Sequence, residues 1–205
     1  MGKQDNKHFS EVIREKLNTR IVGRIQGGQC SFKHSGVLMP LLVENGQLKI
    51  LFTKRTNTLE HHKGQICFPG GSVDEEDASI EETVLREAYE EIGLQREDVE
   101  ILGRIDDTLT LVSSFIIQPI VGLLPYPYDF TINTSEVERV LKIPLGVFGA
   151  EKSGGKGYGF EFEGMIYDTP TYCYDGEVIW GATARIIENF MDIVGHKLLL
   201  LEGRK

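Results

Sequence analysis

The sequence predicts an α+β protein, a mixed β-sheet covered by helices, on three observations. Strand-like and helix-like segments follow one another without the strict β-α alternation of a doubly wound sheet. Two apolar, β-rich runs, 36–44 and 47–54, are separated by Asn45-Gly46, a pair whose tolerance of positive φ favours a two-residue hairpin. Residues 78–92 carry apolar side chains at helical spacing and stop at Gly93, which suits a left-handed C-terminal cap. The other elements follow in order. Phe9, Val12, Ile13 and Leu17 predict an amphipathic helix over 9–18, and 55–77 reads as a long loop with one short strand at 66–68. Segments 99–111 and 115–124 read as strands around Val112-Ser113-Ser114, and Tyr126-Pro127-Tyr128 reads as a turn. A short helix is expected over 135–141, ended by Pro144. After a Gly-rich loop at 152–159, two more strands run to about Tyr174 and a closing helix covers 183–194. Residues 1–35 are read as an N-terminal helical extension and 36–205 as the main domain.

Composition narrows the function. The 205 residues include 22 Lys and Arg against 31 Asp and Glu, a net charge of −9, with 40% hydrophobic and 26% charged residues, enough apolar content for a substantial core. An acidic surface repels phosphates, which argues against a nucleic-acid or anionic-membrane binder. A phosphorylated substrate would need a cation or a few local bases to offset that repulsion. No apolar run approaches the ~18 residues that span a bilayer. The first residues lack the apolar core of a signal peptide, and Asn6 breaks the myristoylation pattern. Cys30, Cys67 and Cys173 are odd in number and widely spaced, which suits neither a disulfide framework nor a zinc site. The ending Gly203-Arg204-Lys205 is not a peroxisomal address. A cytoplasmic location is therefore expected. The stretch 153–159 and the chain ends are where a homodimer contact would be sought.

The informative segment runs Gly70-Gly71-Ser72-Val73-Asp74-Glu75-Glu76-Asp77, then Arg86-Glu87-Ala88-Tyr89-Glu90-Glu91-Ile92-Gly93-Leu94. Glu87 and Glu91 are four apart and share a helix face, with Glu90 beside them. At about 100° per residue, Ile80, Val84, Ala88, Ile92 and Leu85 cover an arc of about 140°. Glu91 falls inside one edge of that arc and Glu87 just outside it. Acids on a solvated helix belong on the opposite side, and like charges at this spacing repel. A cation at the edge would relieve that repulsion, and carboxylates without Cys or His select a hard ion, Mg²⁺ or Mn²⁺. An isolated string of this kind is ordinarily just a solvated face; its surroundings decide otherwise.

This segment resembles the signature of the Nudix hydrolases: Gly, five residues, Glu, seven residues, then Arg-Glu-apolar-any-Glu-Glu-any-Gly-apolar. The second half matches fully from Arg86 to Leu94. In the first half Gly71 is followed by five residues and then Asp77, with eight residues before Arg86, so the acid is shorter and one residue is inserted. The upstream run from Leu51 to Gly71, Leu-Phe-Thr-Lys-Arg-Thr-Asn-Thr-Leu-Glu-His-His-Lys-Gly-Gln-Ile-Cys-Phe-Pro-Gly-Gly, resembles the extra motif of the coenzyme A pyrophosphatase branch, with Phe52 for Leu. The inserted residue is also typical of that branch. A looser likeness continues through 110–122, 136–145 and Trp180-Gly181-Ala182-Thr183-Ala184-Arg185.

The resemblance implies an α/β/α sandwich around a mixed sheet and a Mg²⁺- or Mn²⁺-dependent hydrolase acting on a diphosphate linkage. It implies Glu87 and Glu91 as the main metal ligands. It implies Glu90 as an accessory ligand or the group that orients the attacking water, and Arg86 as part of the same catalytic set. Arg55, His62, Gln65, Gly70 and Gly71 are the expected substrate-binding residues. Physically, Arg55 suits a phosphate fork or a nearby acid. His62 and Gln65 suit donors to phosphate or ribose, or a self-satisfied loop. The Pro69-Gly70-Gly71 turn allows close approach. Trp180, Tyr126 and Tyr128 suit adenine stacking or packing, and Glu136 and Glu138 a further ligand or base, or plain exposure. The expected substrate is coenzyme A or an acyl-CoA, giving 4′-phosphopantetheine (or its acyl form) and adenosine 3′,5′-bisphosphate. Its 3′-phosphate calls for local cations, of which Lys54, Arg55 and Lys63 are nearest in sequence. The alternatives are a hydrolase of ADP-ribose, NADH or another nucleoside diphosphate derivative, and a non-catalytic nucleotide-binding module.

Overall fold

The computed structural model describes residues 2–25, 32–59, 62–110, 113–149, 160–162, 165–167 and 169–202. The chain opens with α1 (Gly2–Asn18), followed by β1 (Lys33–Glu44), β2 (Gln47–Arg55), β3 (Ile66–Cys67) and β4 (Gly70–Ser72). Helix α2 (Ile80–Ile92) leads through a 3₁₀ turn at Arg96–Asp98 to β5 (Glu100–Arg104), β6 (Thr108–Thr110), β7 (Phe115–Leu123) and β8 (Val137–Pro144). Short α3 (Gly146–Gly149) precedes two small hairpins, β9 (Phe160–Phe162) with β10 (Met165–Tyr167) and β11 (Tyr172–Tyr174) with β12 (Glu177–Ile179). The chain closes through α4 (Gly181–Phe190), a π-helical turn at Met191–Gly195 and α5 (His196–Glu202).

Strands β1–β8 form one mixed sheet, in which β1 and β7 run parallel and every other pair is antiparallel. The Asn45-Gly46 turn has positive φ at both residues and sets Glu44 opposite Gln47, as a two-residue hairpin requires. Beyond that hairpin β1 and β2 separate, and the gap is filled by β4 pairing with β1 and β3 pairing with β2. This split brings Gly70 and Gly71 to the mouth of the sheet.

Side chains alternate between two apolar layers. Leu38, Leu42, Leu51 and Ile120 meet Ile80, Val84, Ala88 and Ile92 of α2 on one face. Met39, Leu41, Phe52 and Val121 meet Phe9, Ile13 and Leu17 of α1 and Ile187 and Phe190 of α4 on the other. The result is the expected α+β sandwich. Helix α2 lies close to the sheet because Gly36 has no side chain; a Cβ there would sit 2.7 Å from Val84.

Several expected elements are corrected. The helix placed at 135–141 is strand β8, antiparallel to β2 from Lys49↔Pro144 to Arg55↔Val137. Its charged residues suggested a helical surface, but Val137, Leu141 and Ile143 are buried at strand spacing while Glu138 and Arg139 face out. The single strand at 99–111 is two, β5 and β6, with a register shift between Ile101 and Gly103, where Gly103 has φ 151°. The bend between them is held by Arg20 on Asp106 and by Arg24 Nη1 on Asp107 Oδ1 at 2.9 Å. The closing helix continues past Val194, through the π-helical turn at Met191–Gly195 into α5. Helix α1 starts before Phe9, where polar side chains carry no apolar periodicity. The Gly-rich stretch 152–159 lies outside the described residues.

Candidate active site

Helix α2 is fixed at both ends by local chemistry. The Ser79 side chain caps its start by accepting from Glu82 N, and Gly93 ends it at φ 68° with its N–H donating to the carbonyls of Ala88 and Tyr89. That setting fixes the rotation of the acid edge. Glu91 is 2% exposed, one of few charged groups in the core, while Glu87 is half-buried and Glu90 is exposed.

Arg86 is the hub of the helix. Its Nε and Nη2 grip both carboxylate oxygens of Asp77 at 3.1 and 2.9 Å, and Nη2 also donates to the Ser72 carbonyl at 3.2 Å. Its Nη1 reaches Glu87 Oε1 at 2.9 Å and Glu90 Oε2 at 3.4 Å. The shorter, displaced acid of the signature therefore closes the pair with Arg86, and Asp77 also accepts from the Thr83 hydroxyl at 2.9 Å. The Arg86 guanidinium holds the Asp77 carboxyl well below the usual carboxylate range. Arg86 thus anchors the acid edge and orients Glu87.

Two glycines allow close approach here, Gly71 to the Glu87 carboxylate and Gly70 to the backbone of β1. A Cβ on Gly71 would lie 2.5 Å from the Glu87 carboxyl carbon, and one on Gly70 would lie 2.7 Å from Val37 Cα. Gly70 also donates its backbone N–H to the Glu91 carboxylate. Gly71→Ala is therefore expected to push Glu87 aside. Since a displacement of about 1 Å can cost ~100-fold, kcat should fall by about that factor with little change in the melting temperature. A near-normal rate in that variant would contradict the placement.

Arg55 closes the other side. Its backbone N–H donates to the Gln65 carbonyl at 3.0 Å, and its Nη1 stands 3.8 Å from Glu91 Oε1. Gln65 Oε1 and His62 Nδ1 pair at 2.9 Å on the exposed side of this loop. Of the cations expected near the box, Lys54 is turned away: its Nζ pairs with Glu177 of the β11–β12 hairpin at 2.8 Å and with Glu138 of the neighbouring strand β8 at 3.8 Å. Glu138 is thereby a partner for Lys54. Tyr126 bonds Glu44, and the Tyr128 hydroxyl accepts from Gln95 N and donates to Asp98, so both are tied into the frame.

Glu136 is the residue the spacing did not single out strongly enough. The loop before β8 wraps the end of α2, where Asn133 N donates to the Glu91 carbonyl at 2.9 Å, and the Glu136 charge raises the proton affinity of both Glu87 and Glu91. Nothing local in the sequence links position 136 to position 91. Burial pushes the Glu91 carboxyl up to about 8, opposed by Arg55 and reinforced by Glu87 and Glu136. Burial also raises Glu87. Glu91 Oε2 is buried without a hydrogen-bond partner. Among the described residues no three acidic, His or Cys side chains close into a cage. The acids instead form an open, one-sided oxygen face. Such a face fits an ion that keeps water and substrate oxygens among its ligands.

Fold and site together define a class: an α/β/α sandwich with a helix-borne cluster of carboxylates at the edge of its sheet. The chain belongs to the Nudix hydrolase family. The NUDIX domain model matches residues 32–125. The chain is 35% identical over 158 residues to an uncharacterized Nudix hydrolase NudL of Photorhabdus laumondii, covering 76% of this chain and 81% of that protein. It is 32% identical over 187 residues to the corresponding protein of Enterobacter sp., covering 91% and 92%. A MutT/nudix family protein from Enterococcus faecalis shares the fold, with a TM-score of 0.56 at 15% identity over 88% of this chain and 71% of that one. Enzymes of this family generally use divalent ions such as Mg²⁺ or Mn²⁺ and bind small nucleotide substrates.

Proposed function

We propose that this Nudix hydrolase cleaves the diphosphate of coenzyme A or its thioesters. The observation that carries the reading is the run from Leu51 to Gly71, in which Arg55, Gly70 and Gly71 stand against the acid edge of α2 and Gln65 holds the Arg55 backbone from behind. Glu87, Glu91 and Glu90 would hold the metal; the proposed catalytic unit is 36–205 with 1–35 as an N-terminal extension, and the proposed location is the cytoplasm. A bound divalent ion neutralises diphosphate oxygens and lowers the pKa of a water nucleophile. Arg86 keeps Glu87 in place by holding Asp77 and Ser72. Arg55, pinned to Gln65 through the backbone, supplies a positive charge to the diphosphate and exchanges Glu91 for it. Glu90, at the outer edge of the ligand set, and Glu136 are the carboxylates that would orient the attacking water and take its proton. His62 and Gln65 donate to the nucleotide.

Turnover of coenzyme A, dephospho-coenzyme A, ADP-ribose and NADH at matched concentration tests the reading. A charge-assisted contact to the 3′-phosphate is worth about 1.5–3 kcal/mol, so coenzyme A should exceed dephospho-coenzyme A in kcat/KM by about tenfold or more. Added salt should shrink that ratio. Equal kcat/KM for the two would refute the 3′-phosphate argument, and faster cleavage of ADP-ribose or NADH would move the substrate elsewhere in the family.

A further inference from the structure

The described arginines are paired with acids almost without exception, in a chain of net charge −9. Eight of the nine form ion pairs with carboxylates. Arg185, in α4, forms none with the described residues. Its Nη2 donates to the Leu109 carbonyl at 2.7 Å, while its Nε is buried without an acceptor. Burial lowers the proton affinity of the guanidinium, and no nearby acid among the described residues opposes it. Partial burial of a cation without a counter-charge is costly. An arrangement in which no described acid pairs with this one arginine suits an anion from outside the described residues.

Its position ties it to the substrate end of the sheet. The Thr183 hydroxyl, two residues earlier, donates to the Ile66 carbonyl at 3.3 Å and locks the start of α4 to the strand that follows Gln65. Leu109 stands opposite Ile116, and Ile116 opposite His34. The His34 carbonyl accepts from Val73 N, beside the Ser72 carbonyl that holds Arg86. Counting β6, β7, β1 and β4, Arg185 is anchored about three strand spacings, ~14 Å, from the glycine turn. That is too far for the scissile diphosphate and suits an outlying group of the same substrate. Of the cations nearer in sequence, Lys54 is engaged by Glu177 and Arg55 faces Glu91 and the diphosphate side, while Lys63 is exposed on the 62–65 loop.

We propose that Arg185 binds a terminal phosphomonoester of the substrate, outside the diphosphate that is cleaved. The guanidinium fork matches phosphate oxygens, and the Leu109 carbonyl holds one arm of that fork in place. The proposal rests on the coenzyme A reading, in which this group is the 3′-phosphate, and it assigns that contact to α4 instead of the 54–63 segment.

The test measures binding of adenosine 3′,5′-bisphosphate and of AMP to the full chain in Mg²⁺ by calorimetry; neither ligand contains a diphosphate to hydrolyse. Wild-type protein should bind the bisphosphate about tenfold or more tightly than AMP. In Arg185→Met that ratio should fall toward one through loss of bisphosphate affinity, and Arg185→Lys should keep an intermediate ratio. An unchanged ratio in Arg185→Met, or no preference in the wild type, overturns the proposal. So does an equal loss of both ligands accompanied by a lowered melting temperature, which marks a structural support. Coenzyme A cleavage with an Arg185-independent ratio defeats this assignment alone. Failure to cleave coenzyme A with the ratio still Arg185-dependent defeats the substrate reading and leaves Arg185 as a phosphate site.

Discussion

Glu91→Gln is expected to reduce kcat by about 10³-fold, the scale on which a buried electrostatic group at a reacting centre acts, while making the metal-free protein more stable at high pH. The second effect follows from burial. The Glu91 carboxyl is raised in the fold from 4.5 to about 8. Its contribution to stability is therefore fully present below pH 4.5 and is lost as the pH rises through about 8, when the folded protein must ionise a buried acid. Over that window the loss is on the order of 4–5 kcal/mol. The low-lying acids Asp77 and Glu44 titrate below this range, and Glu87, also raised by burial, is common to both proteins. Glutamine copies the neutral acid. Melting curves without metal should coincide for the two proteins near pH 4 and separate by about 10 °C at pH 9, with the variant higher. A variant that melts lower across the whole range, or that retains a near-normal rate, would contradict the assignment of Glu91 as a buried metal-binding acid.

Arg86→Ala is expected to cost both stability and rate. The Asp77 side chain is 6% exposed and takes two bonds from Arg86, so removing the arginine strands a buried carboxylate. Breaking such a pair costs about 3–5 kcal/mol, or roughly 6–20 °C in a chain of this size. Glu87 and Glu90 lose their shared cation at the same time, and kcat should fall by about 100-fold. Because the stability loss arises from the stranded charge, the double variant Asp77→Ala, Arg86→Ala should melt higher than Arg86→Ala alone, while its kcat stays low. Simple additivity of the two stability losses in that cycle would show that Asp77 and Arg86 act independently. The depressed Asp77 carboxyl adds a further sign. Its stability is present above about pH 3.8 and lost as the pH falls, so Arg86→Ala should flatten the acid limb of the melting profile.

What the sequence disclosed about this site was what is local along the chain. The spacing of Ile80, Val84, Ala88 and Ile92 defined the buried arc of α2, and with it the burial of Glu91 and the half-burial of Glu87. Asn45-Gly46 defined the hairpin. Strand β8 was misread because Glu138, Arg139 and Lys142 make a charged segment that is compatible with a helix surface, and only pairing with β2 turns Val137, Leu141 and Ile143 inward. The roles of Lys54, Glu136 and Arg185 depend on neighbours far away in sequence. Lys54 was read as a free cation until Glu177 was placed beside it. Glu136 gains its influence on Glu91 only when the loop before β8 folds over the end of α2. That no described acid faces Arg185 follows only from the assembled fold.

The most direct measurement is chromatography of the products formed from coenzyme A by the purified protein, with and without Mg²⁺. The proposed reaction predicts 4′-phosphopantetheine and adenosine 3′,5′-bisphosphate in equal amounts, formed only when the divalent ion is present. Intact coenzyme A after incubation with metal, under conditions where ADP-ribose or NADH is cleaved, would contradict it.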